Sequence, residues 1–227
     1  FVDEGILVAA GMEFDIADES LKIEPEAAAK LIGNPNYVLI DIREPVEYET
    51  RHVPGFKNIR VGDFLAGEEY KKIDRKKTVI LLCEAGESGS TAAVFLKVKG
   101  YDARFVYYGI RAWREKKLKF VGNDKLFMPD FKNKNTVLKY DEALEMQKSG
   151  KIVIVDIRSK REFQKGHLEG AVNIPLMNLP TKELEKALSS LPRDRTVVGV
   201  SYDRFGKFYC KVLGYMVNKR DYKYGGT

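Results

Sequence analysis

"YVLIDIREPVEYETRHVPGFKNI", residues 37–59, aligns without a gap with "IVIVDIRSKREFQKGHLEGAVNI", residues 152–174. Each stretch carries Asp-Ile-Arg, then a Glu followed by an aromatic, then His-x-x-Gly-x-x-Asn-Ile. Agreement at so many spaced positions marks an internal repeat, which decides the architecture before any single element does. Upstream, "LKIEPEAAAKLIG" and "TVLKYDEALEMQKSG" each read as a short strand running into a helix that ends at glycine. Downstream the repeat resumes with "KTVILLC" against "RTVVGVS", after three extra residues in the second copy.

Each copy predicts strand, helix, apolar strand, a short helix around Glu47 or Glu162, a strand near Asn58 or Asn173, then helix, strand and helix. The runs "YVLIDI", "TVILLC" and "ARFVYY" are continuously apolar, as strands of a parallel sheet must be when helices cover both faces. The fold class is therefore α/β: two tandem domains, each a small doubly wound parallel sheet flanked by helices. They are expected over residues 1–130, with an N-terminal extension, and 131–227. "KLKFVGNDKLFMPDFKNKN", residues 117–135, lacks sustained periodicity and reads as the linker. The first 19 residues have no counterpart in the second copy, and "GILVAAGMEF" within them is expected to pack as an extra strand.

Composition excludes several classes. No apolar run approaches the roughly 18 residues of a membrane span, so no span is expected. The formal charge of +6 is spread as interleaved Lys, Arg, Asp and Glu with no nucleic-acid motif, which reads as solvated surface. Two cysteines, Cys83 and Cys210, cannot make a disulfide framework, and neither CxxC nor a Cys/His cluster suggests zinc. No metal or other cofactor is expected. A reduced thiol suits the cytoplasm better than the periplasm, although the chain begins at Phe1 and the compartment stays open.

The repeat also separates scaffold from chemistry, since residues kept in both copies are expected to serve the shared fold. The two histidines, His52 and His167, occupy matching places; His167 has no nucleophile to serve, so a structural hydrogen-bonding role is expected for both. Asp41 with Arg43, and Asp156 with Arg158, follow a strand end and read as an ion network, with Arg43 near the loop that follows Cys83. Cys210 reads as core, and Trp113 as core or as part of the domain interface. At Cys83 the copies part, because the aligned residue is Ser201. Cys83 ends an apolar strand, Gly86 permits a tight bend, and a helix running to Gly100 follows. Such a loop turns successive backbone N–H groups toward its centre and suits a thiolate, lowering its pKa. Tyr202, Asp203 and Arg204 in the matching loop read as exposed or as facing a cleft between domains.

These residues resemble the rhodanese, or sulfurtransferase, family, from Leu21 to Lys116 and from Thr136 to Thr227. "DIREPVEYETRHVPG", "LLCEAGES" and "YGIRAW" carry the likeness in the first copy; "DIRSKREFQKGHLEGAVNIP" and the final "YGGT" carry it in the second. The resemblance implies an active-site loop of Cys83, Glu84, Ala85, Gly86, Glu87 and Ser88, followed by Gly89. Cys83 would carry a persulfide, taking sulfane sulfur from thiosulfate, a polysulfide or a persulfide and handing it to a thiophilic acceptor. Candidate site residues are thus Cys83 as nucleophile, with Glu84 to Gly89 and Arg43 as substrate-binding groups. The partners implied are a small sulfur-containing donor and acceptor or a persulfide-carrying protein.

Ser201 implies an inactive second domain, the reverse of the common order in two-domain members. Glu84 and Glu87 stand where thiosulfate-using members often have basic residues; two carboxylates oppose thiolate formation and repel a dianion, so thiosulfate is expected to be a poor donor. The related cell-cycle phosphatases need an Arg six positions after the Cys, where this chain has Gly89. The competing reading is a non-catalytic binding or regulatory module. "YGGT" is read as the turn that precedes the Trp113 helix in the first copy, so the natural chain is expected to continue past Thr227.

Overall fold

The computed structural model describes residues 19–122, 138–201 and 206–226, with backbone alone at 206–208. These residues form two compact units that divide after residue 127. In the first unit the sequence runs β1 (Lys22–Ile23), α1 (Pro25–Ala29), β2 (Tyr37–Asp41), α2 (Pro45–Thr50), β3 (Arg51–His52), β4 (Lys57–Asn58), α3 (Val61–Leu65), β5 (Thr78–Leu82), α4 (Glu87–Val98), β6 (Ala103–Val106), α5 (Gly109–Glu115) and β7 (Val121–Gly122). In the second it runs α6 (Tyr140–Lys148), β8 (Ile152–Asp156), α7 (Lys160–Lys165), β9 (Val172–Asn173), α8 (Thr181–Ser189), β10 (Thr196–Val200), α9 (Gly206–Asn218) and β11 (Tyr224–Gly226).

The main sheets have orders β1-β6-β5-β2-β4 and β11-β10-β8-β9, and every pairing within them is parallel. Tyr37 to Asp41 lie in register with Thr78 to Leu82, and Ile152 to Asp156 with Thr196 to Val200. Successive strand residues point to opposite faces. Accordingly Val153 and Val155 join Leu184, Leu188 and Leu213 on one side of the second sheet, while Ile152 and Ile154 pack with Ala143 on the other. In the first unit Leu39, Ile80 and Leu82 pack with Ala28, Ile110 and Trp113. The Trp113 ring meets Phe56 edge-on at 6.0 Å, and its Nε1 donates to the Lys119 carbonyl at 3.1 Å. Trp113 and Cys210 are both core, as read from the sequence.

Three details depart from that reading. The stretch taken as linker contributes β7, which pairs antiparallel with β3; Gly122, at φ +101°, has no room for a side chain because a Cβ would stand 2.2 Å from the Thr50 carbonyl. The final Tyr-Gly-Gly is a strand and not the turn before a helix. Val197 pairs with Tyr224 as Val79 pairs with Ala103, so β11 matches β6. The strand expected before α6 falls partly on residues outside the described ones, and Leu138 and Lys139 are not strand. "GILVAAGMEF" and the trio Tyr202, Asp203 and Arg204 also lie outside the described residues. No described helix is long and apolar enough to cross a membrane.

Candidate active site

Three structural devices recur in both copies. Asp41 accepts the Arg43 backbone N–H at 3.0 Å and the Arg43 side chain from Nε and Nη2, the latter at 2.6 Å. Asp156 and Arg158 repeat this at 2.9 and 2.6 Å. The amide of Asn58 donates to the carbonyls of Asp41 and Arg43, and that of Asn173 to Asp156 and Arg158. His52 Nδ1 bonds the Tyr48 carbonyl at 3.0 Å and stacks on its ring; His167 does the same to Phe163 at 2.8 Å. Identical bonds in a copy with Ser201 in place of Cys83 fit a scaffold role for these residues.

Cys83 is the first residue after β5, so its backbone leaves the carboxyl edge of the sheet where open α/β folds place ligand loops. Gly86, at φ +105°, turns the chain so that α4 begins at Glu87. The turn brings the N–H groups of Gly86 and Gly89 to 3.1 and 3.3 Å from Cys83 Sγ, within the range for sulfur acceptors. A side chain at Gly89 would press on that sulfur at 3.4 Å and on Phe105 at 3.3 Å, so the position where the phosphatases need Arg is one that closes over Sγ. Sγ thus sits in a nest of amides, as the sequence predicts.

The thiol's ionisation differs from expectation. Burial pushes Cys83 up to about 11, and the Glu87 charge pushes the same way, against the amides of Gly89, Gly86 and Ala85. Cys83 is 5% exposed, and loss of solvent outweighs the three N–H donors. The loop therefore rests as a thiol near neutral pH.

Beneath the loop lies a buried charge network that sequence reasoning saw only at Arg43. Arg51 Nη2 meets Glu84 Oε1 at 2.7 Å, Arg43 Nη1 lies 3.6 Å from Oε2, and Arg111 Nε of α5 approaches Oε1 at 3.9 Å. Glu84 is thus a paired carboxylate, and the expectation that both loop acids weigh on the thiol narrows to Glu87. Arg43, expected as a substrate-binding group, is buried with its donors on Asp41, the Arg51 carbonyl and Glu84; it braces the loop from below. Arg60 Nε donates to both oxygens of Glu44, at 2.9 and 2.8 Å. Glu47 accepts the Glu44 N–H at 3.2 Å, closing a capping box on α2. Burial pushes Glu47 up to about 8; the Arg43 charge opposes it, while Glu44, Glu84 and Asp41 add to it.

The "YGIRAW" segment has a local reason. The Ile110 N–H donates to the Cys83 carbonyl at 2.9 Å and the Arg111 N–H to the Glu84 carbonyl at 3.2 Å. Gly109, at φ +58°, lies so close that a Cβ would stand 2.3 Å from the Cys83 carbonyl oxygen. The signal that reveals Arg51, Arg60 and Glu44 is the repeat itself: their counterparts are Gly166, Pro175 and Ser159.

A rhodanese-like domain model matches the chain twice, over residues 24–116 and 139–214. The thiosulfate sulfurtransferase GlpE of Pseudomonas syringae pv. syringae is 31% identical over 100 residues, which are 42% of this chain and 89% of that protein. The probable adenylyltransferase/sulfurtransferase MoeZ of Mycobacterium tuberculosis is 34% identical over 76 residues, 33% of this chain and 19% of that protein. Among solved structures, a thiosulfate sulfurtransferase from Pseudomonas aeruginosa covers 99% of this chain with 45% of its own, at 14% identity and a TM-score of 0.43. With the domain present in both halves, the chain belongs to the rhodanese family.

Proposed function

We propose that the protein is a sulfurtransferase whose first domain carries sulfane sulfur on Cys83 and whose second domain carries none. The Cys83 thiol gives its proton to solvent, and the thiolate attacks the outer sulfur of thiosulfate, a polysulfide or a persulfide. The donor's S–S bond breaks, and its electron pair leaves with sulfite or a thiolate while a Cys83 persulfide forms. An acceptor nucleophile, a small thiol or the cysteine of a partner protein, then attacks the outer sulfur and releases the Cys83 thiolate. The amides of Gly86 and Gly89 hold anionic sulfur in both steps.

The observation that carries this reading is the convergence of those two N–H groups on one sulfur at a strand's carboxyl end. At the matching strand end of the second unit stands Ser201, which has no thiol to load. The second reading, a recognition module, is favoured by the burial that pushes the same thiol up to about 11.

Intact protein is incubated with thiosulfate, polysulfide or glutathione persulfide and then weighed by mass spectrometry. A gain of about 32 Da on the Cys83 peptide, absent from Cys83→Ser, with loss of that mass on adding cyanide, is the expected result. A wild type that gains no sulfur from any of the three leaves the recognition module as the function.

A further inference from the structure

We infer that Arg51 is a positioning residue that holds the Glu84 carboxylate away from Cys83, so that the loop accepts anionic sulfur donors despite its acidic sequence. This rests on the reading of Cys83 as the sulfur carrier. Arg51 opens β3, directly after α2, and its side chain is 1% exposed. It reaches 33 residues along the chain to Glu84, which is 18% exposed and takes a 2.7 Å bond on Oε1. Arg43 stands at the other carboxylate oxygen and Arg111 at the rim, so each oxygen of Glu84 faces a cation. A buried guanidinium without its carboxylate is strongly unfavourable, and this keeps Glu84 turned down toward Arg51. The carboxylate that acts on the thiol is Glu87, at the start of α4.

The second copy supplies the control. Its Gly166 has no side chain to offer where Arg51 stands, and Ser201 followed by Tyr202 stands where Cys83 is followed by Glu84. The two members of the ion pair and the cysteine are present together in one copy and missing together from the other. An Arg at position 51 therefore accompanies a Glu after the cysteine, and it cancels that Glu's charge. Arg111, 55% exposed beside the loop, adds a cation on the solvent side.

The test compares the initial rates at which iodoacetate, an anion, and iodoacetamide, its neutral analogue, alkylate Cys83 in the full chain, read on the Cys83 peptide. Arg51→Met keeps the aliphatic stem but uncovers the Glu84 charge. It is expected to lower the iodoacetate-to-iodoacetamide rate ratio about fivefold, the effect of one unit charge within about 8 Å in a partly solvated site. Glu84→Gln raises the ratio by a similar factor. Arg51→Lys and the double variant Arg51→Met with Glu84→Gln stay within about twofold of wild type.

Equal slowing of both reagents in Arg51→Met would make Arg51 a packing residue and overturn the inference, as would an unchanged ratio in Glu84→Gln. Should Arg51→Met fail to fold, Glu84→Gln and the double variant decide the matter, because the pair is then removed together. A wild-type Cys83 that neither reagent labels also overturns it. Sulfur loading is measured separately: a protein that takes no sulfur yet shows the expected ratios keeps the electrostatic brace and loses the transferase reading.

Discussion

The carboxyl ends of β5 and β10 follow the same strand register, yet the floor of buried charge differs between them. Under the first lie Asp41, Arg43, Glu44, Glu47, Arg51 and Arg60, all buried. Under the second the Asp–Arg pair persists and Glu162 matches Glu47, but Ser159, Gly166 and Pro175 replace Glu44, Arg51 and Arg60. Ser159 caps α7 with its hydroxyl, accepting the Glu162 N–H at 3.2 Å, a neutral answer to the task that Glu44 performs for α2. The difference teaches that the domain needs only Asp, Arg, Asn and His to hold its second strand and the turn after it. Further buried charge accompanies the copy that holds Cys83. Buried ion pairs contribute little net stability, so their presence in one copy alone points to a task other than folding.

The strongest way to break the comparison is to give the first copy the second's chemistry. Cys83→Ser should abolish sulfur loading, a fall of at least about 1000-fold measured by mass spectrometry. The reverse change, Ser201→Cys, should leave that position unloaded, because Ser159, Gly166 and Pro175 stand where the first copy has Glu44, Arg51 and Arg60. Loading there would show that the strand end suffices without the charged floor.

Next in size are the shared aspartates. Asp41→Asn breaks a pair whose side chains are 0% and 3% exposed and should cost about 3–5 kcal/mol in chemical denaturation. Asp156→Asn breaks one whose Arg158 is 20% exposed and should cost about 1–2 kcal/mol, since water takes over part of the lost bonding. Equal costs would erase the distinction between the two floors. Gly109→Ala tests the packing of α5 on the loop. A methyl 2.3 Å from a backbone carbonyl should destabilise the first domain by about 3 kcal/mol and slow Cys83 alkylation.

The effect that depends on pH concerns Glu47. Its folded pKa of about 8 lies above the ordinary 4.5, so between those values the folded state holds a proton that the unfolded state has released. Stability from this group is complete below about pH 4.5 and is lost as pH rises through 8. Relative to Glu47→Gln, which mimics the protonated form, the wild type should lose up to about 1.4 kcal/mol per pH unit across that window. For Cys83, raised to about 11, alkylation should quicken about tenfold per pH unit from pH 7 to 10. A plateau near pH 8 would mean that the amides outweigh burial.

Much of this was legible in the chain. The repeat located both sheets, and the change from Cys83 to Ser201 located the candidate loop, because a strand must alternate faces and a bend needs Gly86 wherever the chain folds. The strand nature of the last Tyr-Gly-Gly was not legible, since only its pairing with β10 distinguishes it from a turn. The sequence by itself determined the two domains, the order of their elements and the atom on which sulfur chemistry would turn. Tertiary structure decided the electrical state of the site. Glu84 reads as an exposed acid until Arg51, 33 residues away, is brought to 2.7 Å. The nest reads as acidifying until the loss of water around Sγ is set against its N–H groups. Both depend on distance and burial, which local spacing along the chain does not encode.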